Sequence, residues 1–98
     1  KDNDFINNGI IVMGDLNAEP SDAPIKLLAE NLEDSFNLFP IKKPFGTFNG
    51  FDLDSKLLNR IDYIFTKNIE VDNYSHIEKK LPNKLWPSDH LPIFISIN

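Results

Sequence analysis

The sequence predicts a mixed α/β fold, and three observations predict it. A β-branched apolar run, Ile10-Ile11-Val12-Met13, stands between Gly9 and Gly14. A stretch of helical apolar spacing follows, with Ile25, Leu27, Leu28 and Leu32, and three further strand-like segments close the chain. Strand, helix and then several strands make one sheet with a helix packed on it. The 98 residues suffice for one domain at most. Residues 1–98 read as a single partial domain, because Lys1-Asp2-Asn3-Asp4 contains neither an initiator Met nor a signal peptide. Eight Phe, one Trp and two Tyr in so short a chain supply material for a core, although a domain of this size buries too little surface to be more than marginally stable alone.

Each element has its own justification. The run from Gly9 to Met13 is short and unbroken by polar residues, which predicts a strand buried on both faces. It ends at Gly14-Asp15-Leu16-Asn17, and Pro20-Ser21-Asp22 marks a turn. Ser21 or Asp22 can cap a helix starting near Ala23-Pro24, since Pro is tolerated in a first helical turn; the apolar spacing carries it to about Asn31. Residues 33–45 predict a short helical turn and then an irregular loop, broken by Pro40 and Pro44, with Glu33-Asp34 a solvated turn. Phe45 to Phe51 is a Gly-punctuated aromatic segment, a loop or short strand. Arg60 to Phe65 predicts a strand with Ile61, Tyr63 and Phe65 alternating against Arg60, Asp62 and Ile64. Val71 to Ile77 predicts a neighbouring strand in which His76 is exposed, residues 79–89 a polar loop, and Leu91 to Ile97 the last strand. Lys42-Lys43 and Lys79-Lys80 read as solvated faces, and Trp86 as a packing residue beside the last motif described below.

Composition excludes several functions. Without Cys there is no disulfide framework, thiolate metal site or Cys nucleophile. No apolar run approaches the length that spans a bilayer. The net charge of −5 gives this portion no basic face for gripping long nucleic acid.

Three motifs carry chemistry. Gly14-Asp15-Leu16-Asn17 lies at the carboxyl end of the first strand, where open α/β sheets place ligands. In extended backbone Asp15 and Asn17 point to one side, so a carboxylate and an amide face one point, and Gly14 leaves room for a ligand. Arg60-Ile61-Asp62-Tyr63-Ile64-Phe65 sets Asp62 inside an apolar strand, where a charge demands a partner. Ser88-Asp89-His90 precedes the last strand. Taken singly, the motifs admit ordinary roles: a turn, a surface Arg60–Asp62 pair, a capping loop with a partly exposed His. Taken together they place carboxylates, an amide and an imidazole at strand ends. A carboxylate beside an imidazole fixes its tautomer and favours the imidazolium, a service Asp62 can render His90. Asp15 and Asp89 then remain for hard cations, which prefer oxygen ligands.

The ordered set GDLN, RIDYIF and SDH resembles the C-terminal signatures of the endonuclease/exonuclease/phosphatase superfamily, over Ile10 to Ile97. The resemblance implies the C-terminal half of a DNase I-like two-sheet α/β sandwich and a metal-dependent phosphoesterase using Mg²⁺ or Mn²⁺. It implies that Asp15 positions or deprotonates the attacking water, that Asn17 contacts phosphate and the metal environment, and that Asp62 hydrogen-bonds the catalytic His. It places Asp89 with the metal and His90 on the scissile phosphate. The implied substrates are phosphoesters: nucleic acid, a phospholipid headgroup or an inositol phosphate, with the acidic balance leaning away from duplex DNA. Gly46-Thr47-Phe48-Asn49-Gly50-Phe51 is similar to a T-F-x-G-F segment of bacterial members, without assigned chemistry. One departure matters. The family's metal-binding Glu comes from upstream, nothing before Asp15 supplies it, and Glu19 sits too close to the first motif. The upstream half is therefore an implied partner, and the alternative to an enzyme is a noncatalytic fragment or binding module, inactive without that half.

Overall fold

A computed structural model describes residues 8–39 and 46–97. The expectations for Pro40, Lys42-Lys43, Pro44 and Phe45 fall outside the described residues. Strand β1, Ile10–Asp15, pairs antiparallel with β3, Asp62–Lys67, in a register running from Ile10↔Lys67 to Asp15↔Asp62. The two-residue β2, Glu33–Asp34, pairs with the other edge of β3, giving the order β1-β3-β2. Strands β4, Val71–His76, and β5, Ile93–Ile97, form a separate two-stranded antiparallel sheet. Among the described residues there are thus two sheets where the strand succession predicts one. Asn68, at φ 59°, turns the chain out of β3, a conformation Asn adopts more readily than most residues. An edge contact between the Tyr74 and Phe36 rings, 5.5 Å between centroids, then holds β4 against the 3₁₀ turn Ser35–Leu38.

Helix α1, Ala23–Ala29, is shorter than its apolar spacing predicts. Asp22 occupies the N-cap, but its carboxylate accepts the Glu19 N–H at 2.7 Å rather than a helical one. The far end tightens through Glu30 N–H to Leu27 O and Asn31 N–H to Leu28 O, both 3.2 Å, a three-residue spacing that terminates the α-helix. Ile25 buries its side chain against Tyr63 and Phe65, with Val12, Leu16, Leu28 and Leu32 packed around them. Leu27 faces solvent, 64% exposed.

That core covers one face of β1 only. Ile11 and Met13, on the other face, are 42% and 66% exposed, against the prediction of a strand buried on both sides. They line an open apolar groove with Ile93, Phe94, Ile95 and Ile97 of β5. The physical reason is position: β1 is an edge strand among the described residues, and α1 packs on the Val12 side. The strand truly covered on both faces is β3, at the sheet's centre.

Two sequence expectations about charge and polarity also give way. Asp34 is no solvated turn. It is buried, and it accepts Arg60 Nη1 and Nη2 at 3.2 and 2.8 Å, so the partner of Arg60 is Asp34 rather than Asp62. The guanidinium lies over the Phe36 ring at 4.1 Å and Tyr63 at 4.8 Å. His76 is half-buried rather than exposed, with Nε2 2.7 Å from the Tyr74 hydroxyl. A second, smaller core of Leu57, Trp86 and Leu91 sits under the loop before β5. Trp86 takes the packing role there, donating Nε1–H to Asp52 O at 3.0 Å. Lys80 stays exposed, as the sequence predicts, with its Nζ 4.8 Å from the Trp86 ring centroid.

Candidate active site

The β1–β3 register creates the site. Asp15 and Asp62 are direct cross-strand partners at the end of the ladder. Side chains so opposed on one face lie about 5 Å apart, and two carboxylates there repel unless a cation intervenes. The His90 imidazole lies between them. Its Nδ1 lies 2.8 Å from Asp62 Oδ2, and its Nε2 lies 3.7 Å from Asp15 Oδ2 and 3.9 Å from Asp89 Oδ1. Asp62 is the most withdrawn of the four, while Asp15 and Asp89 remain open to solvent. With Asp62 ionised, Nδ1–H donates to it, which leaves Nε2 directed at Asp15 and Asp89. The hydrogen bond to Asp62 raises the pKa of His90 above its ordinary value; partial burial opposes this, and the charges of Asp62, Asp15 and Asp89 add to it.

Asn17 joins the site differently from the sequence expectation. Its φ is +51°, so the chain is not extended there and side-chain alternation does not apply. Instead the Asn17 main-chain N–H donates to Asp15 Oδ1 at 2.8 Å. That bond fixes the carboxylate and leaves Oδ2 to face His90. The Asn17 carboxamide is exposed and makes no hydrogen bond among the described residues. Gly14 adopts φ +144°, a backbone angle that side chains rarely take, and the space beside it is open, with nothing within 4 Å of an added Cβ. Among the described residues, Asp15, Asp62 and His90 each place one potential ligand atom within 4.8 Å of the others.

A family model described as the endonuclease/exonuclease/phosphatase family matches residues 2–90. The chain belongs to the endonuclease/exonuclease/phosphatase family. Solved structures agree. A conserved protein of unknown function from Enterococcus faecalis superposes with a TM-score of 0.83 at 30% identity, over 92% of this chain and 36% of that one. A Bacteroides thetaiotaomicron mannosyl-6-phosphatase gives 0.79 at 26% identity, over 94% of this chain and 38% of the other. An endonuclease/exonuclease/phosphatase family protein from Bacteroides thetaiotaomicron gives 0.73 at 28% identity, over 93% and 38%. No curated protein matches the chain. The fold is DNase I-like, and the chain spans little more than a third of the length of these neighbours.

Within this endonuclease/exonuclease/phosphatase chain, Gly46–Phe51 carries more than the sequence discloses. Phe48 bridges both Asn59 and His90 and sets its ring edge-on to the His90 ring, 5.2 Å between centroids. The buried Thr47 hydroxyl accepts the N–H groups of Ile61 and Asp62 at 3.0 and 3.1 Å. Glu19, the carboxylate nearest the first motif, is engaged elsewhere, accepting Asn59 Nδ2 at 2.7 Å and the Arg60 N–H at 3.2 Å. The one signal in sequence is the aromatic-and-glycine punctuation of the segment; nothing local to it names its partners 11 to 44 residues away. Among the described residues no helix is long and apolar enough to cross a membrane.

Proposed function

We propose that this chain is the C-terminal part of a metal-dependent phosphoesterase, with Asp15, Asp62, Asp89, His90 and Asn17 in its active site. The observation that carries the reading is the His90 ring, bonded to Asp62 through one nitrogen and facing Asp15 and Asp89 with the other, in a member of this family. Asp62 does not serve as a metal ligand in this reading, because His90 already occupies its Oδ2. A charged imidazole is likewise a poor ligand and a good donor to a phosphoryl oxygen.

The remaining donors fit a hard divalent cation. Asp15 and Asp89 offer carboxylate oxygens, and Asn17 an amide oxygen, from solvent-open positions suited to a cation that keeps several waters. They are an incomplete set, since Glu19 is committed to Asn59 and Arg60; the missing carboxylate comes from the upstream part of the protein. Bound Mg²⁺ or Mn²⁺ supplies neutralisation of charge developing on the phosphoryl and leaving oxygens. The residues of this chain do the rest. Asp15 aligns a water and accepts its proton, so that the water oxygen bonds to phosphorus as the ester P–O bond breaks. His90 and Asn17 hold phosphoryl oxygens, and Asp62 keeps His90 charged and oriented. The acidic balance favours a small phosphoester over extended nucleic acid, and the mannosyl-6-phosphatase neighbour makes a sugar phosphate the first substrate to try.

The test is turnover by the full-length protein with a panel of phosphomonoester and phosphodiester reporters in Mg²⁺. EDTA is expected to abolish it, and Asp15→Ala or His90→Ala to lower it by roughly 10²–10⁴-fold with melting nearly unchanged. The 98-residue chain alone is expected to be inactive. Near-normal turnover in either variant refutes the assignment, and turnover by the isolated chain refutes the incompleteness of its metal site.

A further inference from the structure

Asp62 opens β3 and His90, 28 residues on, lies in the loop before β5, yet their side chains are held 2.8 Å apart. One short segment touches the main chain beside both. On the Asp62 side, Thr47 Oγ1 accepts the Ile61 and Asp62 N–H groups, and the Thr47 N–H donates to Asn59 O at 2.8 Å. On the His90 side, Thr47 O accepts the Leu91 N–H at 2.7 Å, and the Asn49 N–H donates to Asp89 O at 2.8 Å. The Asn49 carboxamide completes the grip: Nδ2 donates to Ser88 O at 3.0 Å, while Oδ1 accepts the Phe51 N–H at 2.7 Å and fixes the amide's orientation. Thr47 and Asn49 are both buried.

We infer that Thr47 and Asn49 are positioning residues that set the separation of Asp62 and His90. A hydroxyl oxygen has two lone pairs and so can hold two adjacent N–H groups at once, which no aliphatic side chain of the same shape can do. Any buried acceptor satisfies its donors. What distinguishes this pair is its placement, with one residue bonded on both sides of the Asp62–His90 contact and the next but one bonded to the two residues before His90. The inference rests on the roles proposed above for Asp62 and His90, and its test separates the two.

In the full-length protein, Thr47→Val keeps the shape and removes the acceptor. It is expected to lower kcat by about 10–100-fold with KM unchanged, the signature of displaced catalytic groups rather than lost substrate contacts. It is also expected to move the low-field Nδ1–H resonance of His90 in metal-free protein, which reports the bond to Asp62 directly. Thr47→Ser is expected to restore both. In an Asp62→Asn background, Thr47→Val is expected to cost no further activity. A full additional loss in that background, or an unmoved His90 resonance in Thr47→Val, overturns the inference. If Thr47→Val does not fold, Asn49→Ala takes its place in the same cycle, with the same expected and overturning results. If the wild-type protein hydrolyses no phosphoester, the function falls while the resonance still decides the positioning.

Discussion

Arg60 and Asp62 are two residues apart, both withdrawn from water, and each is bonded to a partner far away in sequence. Arg60 pairs with Asp34 at both carboxylate oxygens inside the protein. Removing one member strands the other, which costs about 3–5 kcal/mol in buried pairs. Arg60→Met is therefore expected to lower the unfolding free energy by that order in denaturant titration, and Asp34→Leu combined with it to recover part of the loss. Asp62 pairs with His90 Nδ1 at 2.8 Å. Its hydrogen bond raises the His90 pKa above the ordinary value of about 6.5. The stabilisation this pair gives is thus full below about pH 6.5 and is lost as pH rises through the raised folded-state pKa. In metal-free protein, NMR titration is expected to place His90 above its ordinary pKa in the wild type and lower in Asp62→Asn; an unchanged titration in the variant contradicts the role of the bond. At this scale GDLN and SDH are legible in sequence because their chemistry is local. The Asp34–Arg60 pair is not, because nothing at residues 33–34 records a partner 26 residues on.

The elements differ in how much of themselves the sequence reveals. Strand β3 is legible from its β-branched and aromatic run, and its register with β1 opposes Asp15 to Asp62. Strand β1 is legible as a strand but not in its burial, since an apolar run reports which faces can be covered rather than which are. The segment at Gly46–Phe51 is legible only as irregular, because it is held by hydrogen bonds to Asn59, Asp62, Asp89 and Leu91 rather than by any periodicity. Gly46 marks how closely that segment is laid down. A Cβ there would come within 2.5 Å of Leu57 O and 2.7 Å of the Asn59 nitrogen, both main-chain atoms. Gly46→Ala is expected to destabilise the protein by about 1–3 kcal/mol in thermal or denaturant melts and to lower turnover through the displaced Thr47. A variant as stable and active as wild type would show that the segment yields freely.

For the whole molecule, the sequence discloses family and fold class, because three motifs in order constrain more than any one of them. The two-sheet architecture enters through the family resemblance; the strand succession by itself does not disclose which strands go to which sheet. That division depends on the turn at Asn68 and on Tyr74 meeting Phe36, a contact between residues 38 positions apart. Both sheets bring apolar side chains to the groove lined by Ile11, Met13, Phe94 and Ile97, and the candidate site lies at the end of β1 and β3 just before β5 begins. Central to the proposed function is a cation held by Asp15 and Asp89 beside His90. Mn²⁺ titration of the full-length protein, followed through paramagnetic broadening of the His90 ring signals, tests this most directly. The predicted result is saturable broadening in the wild type that requires at least about tenfold more Mn²⁺ in Asp15→Asn and in Asp89→Asn. Absence of broadening at His90, or broadening at wild-type Mn²⁺ concentrations in both variants, would contradict it.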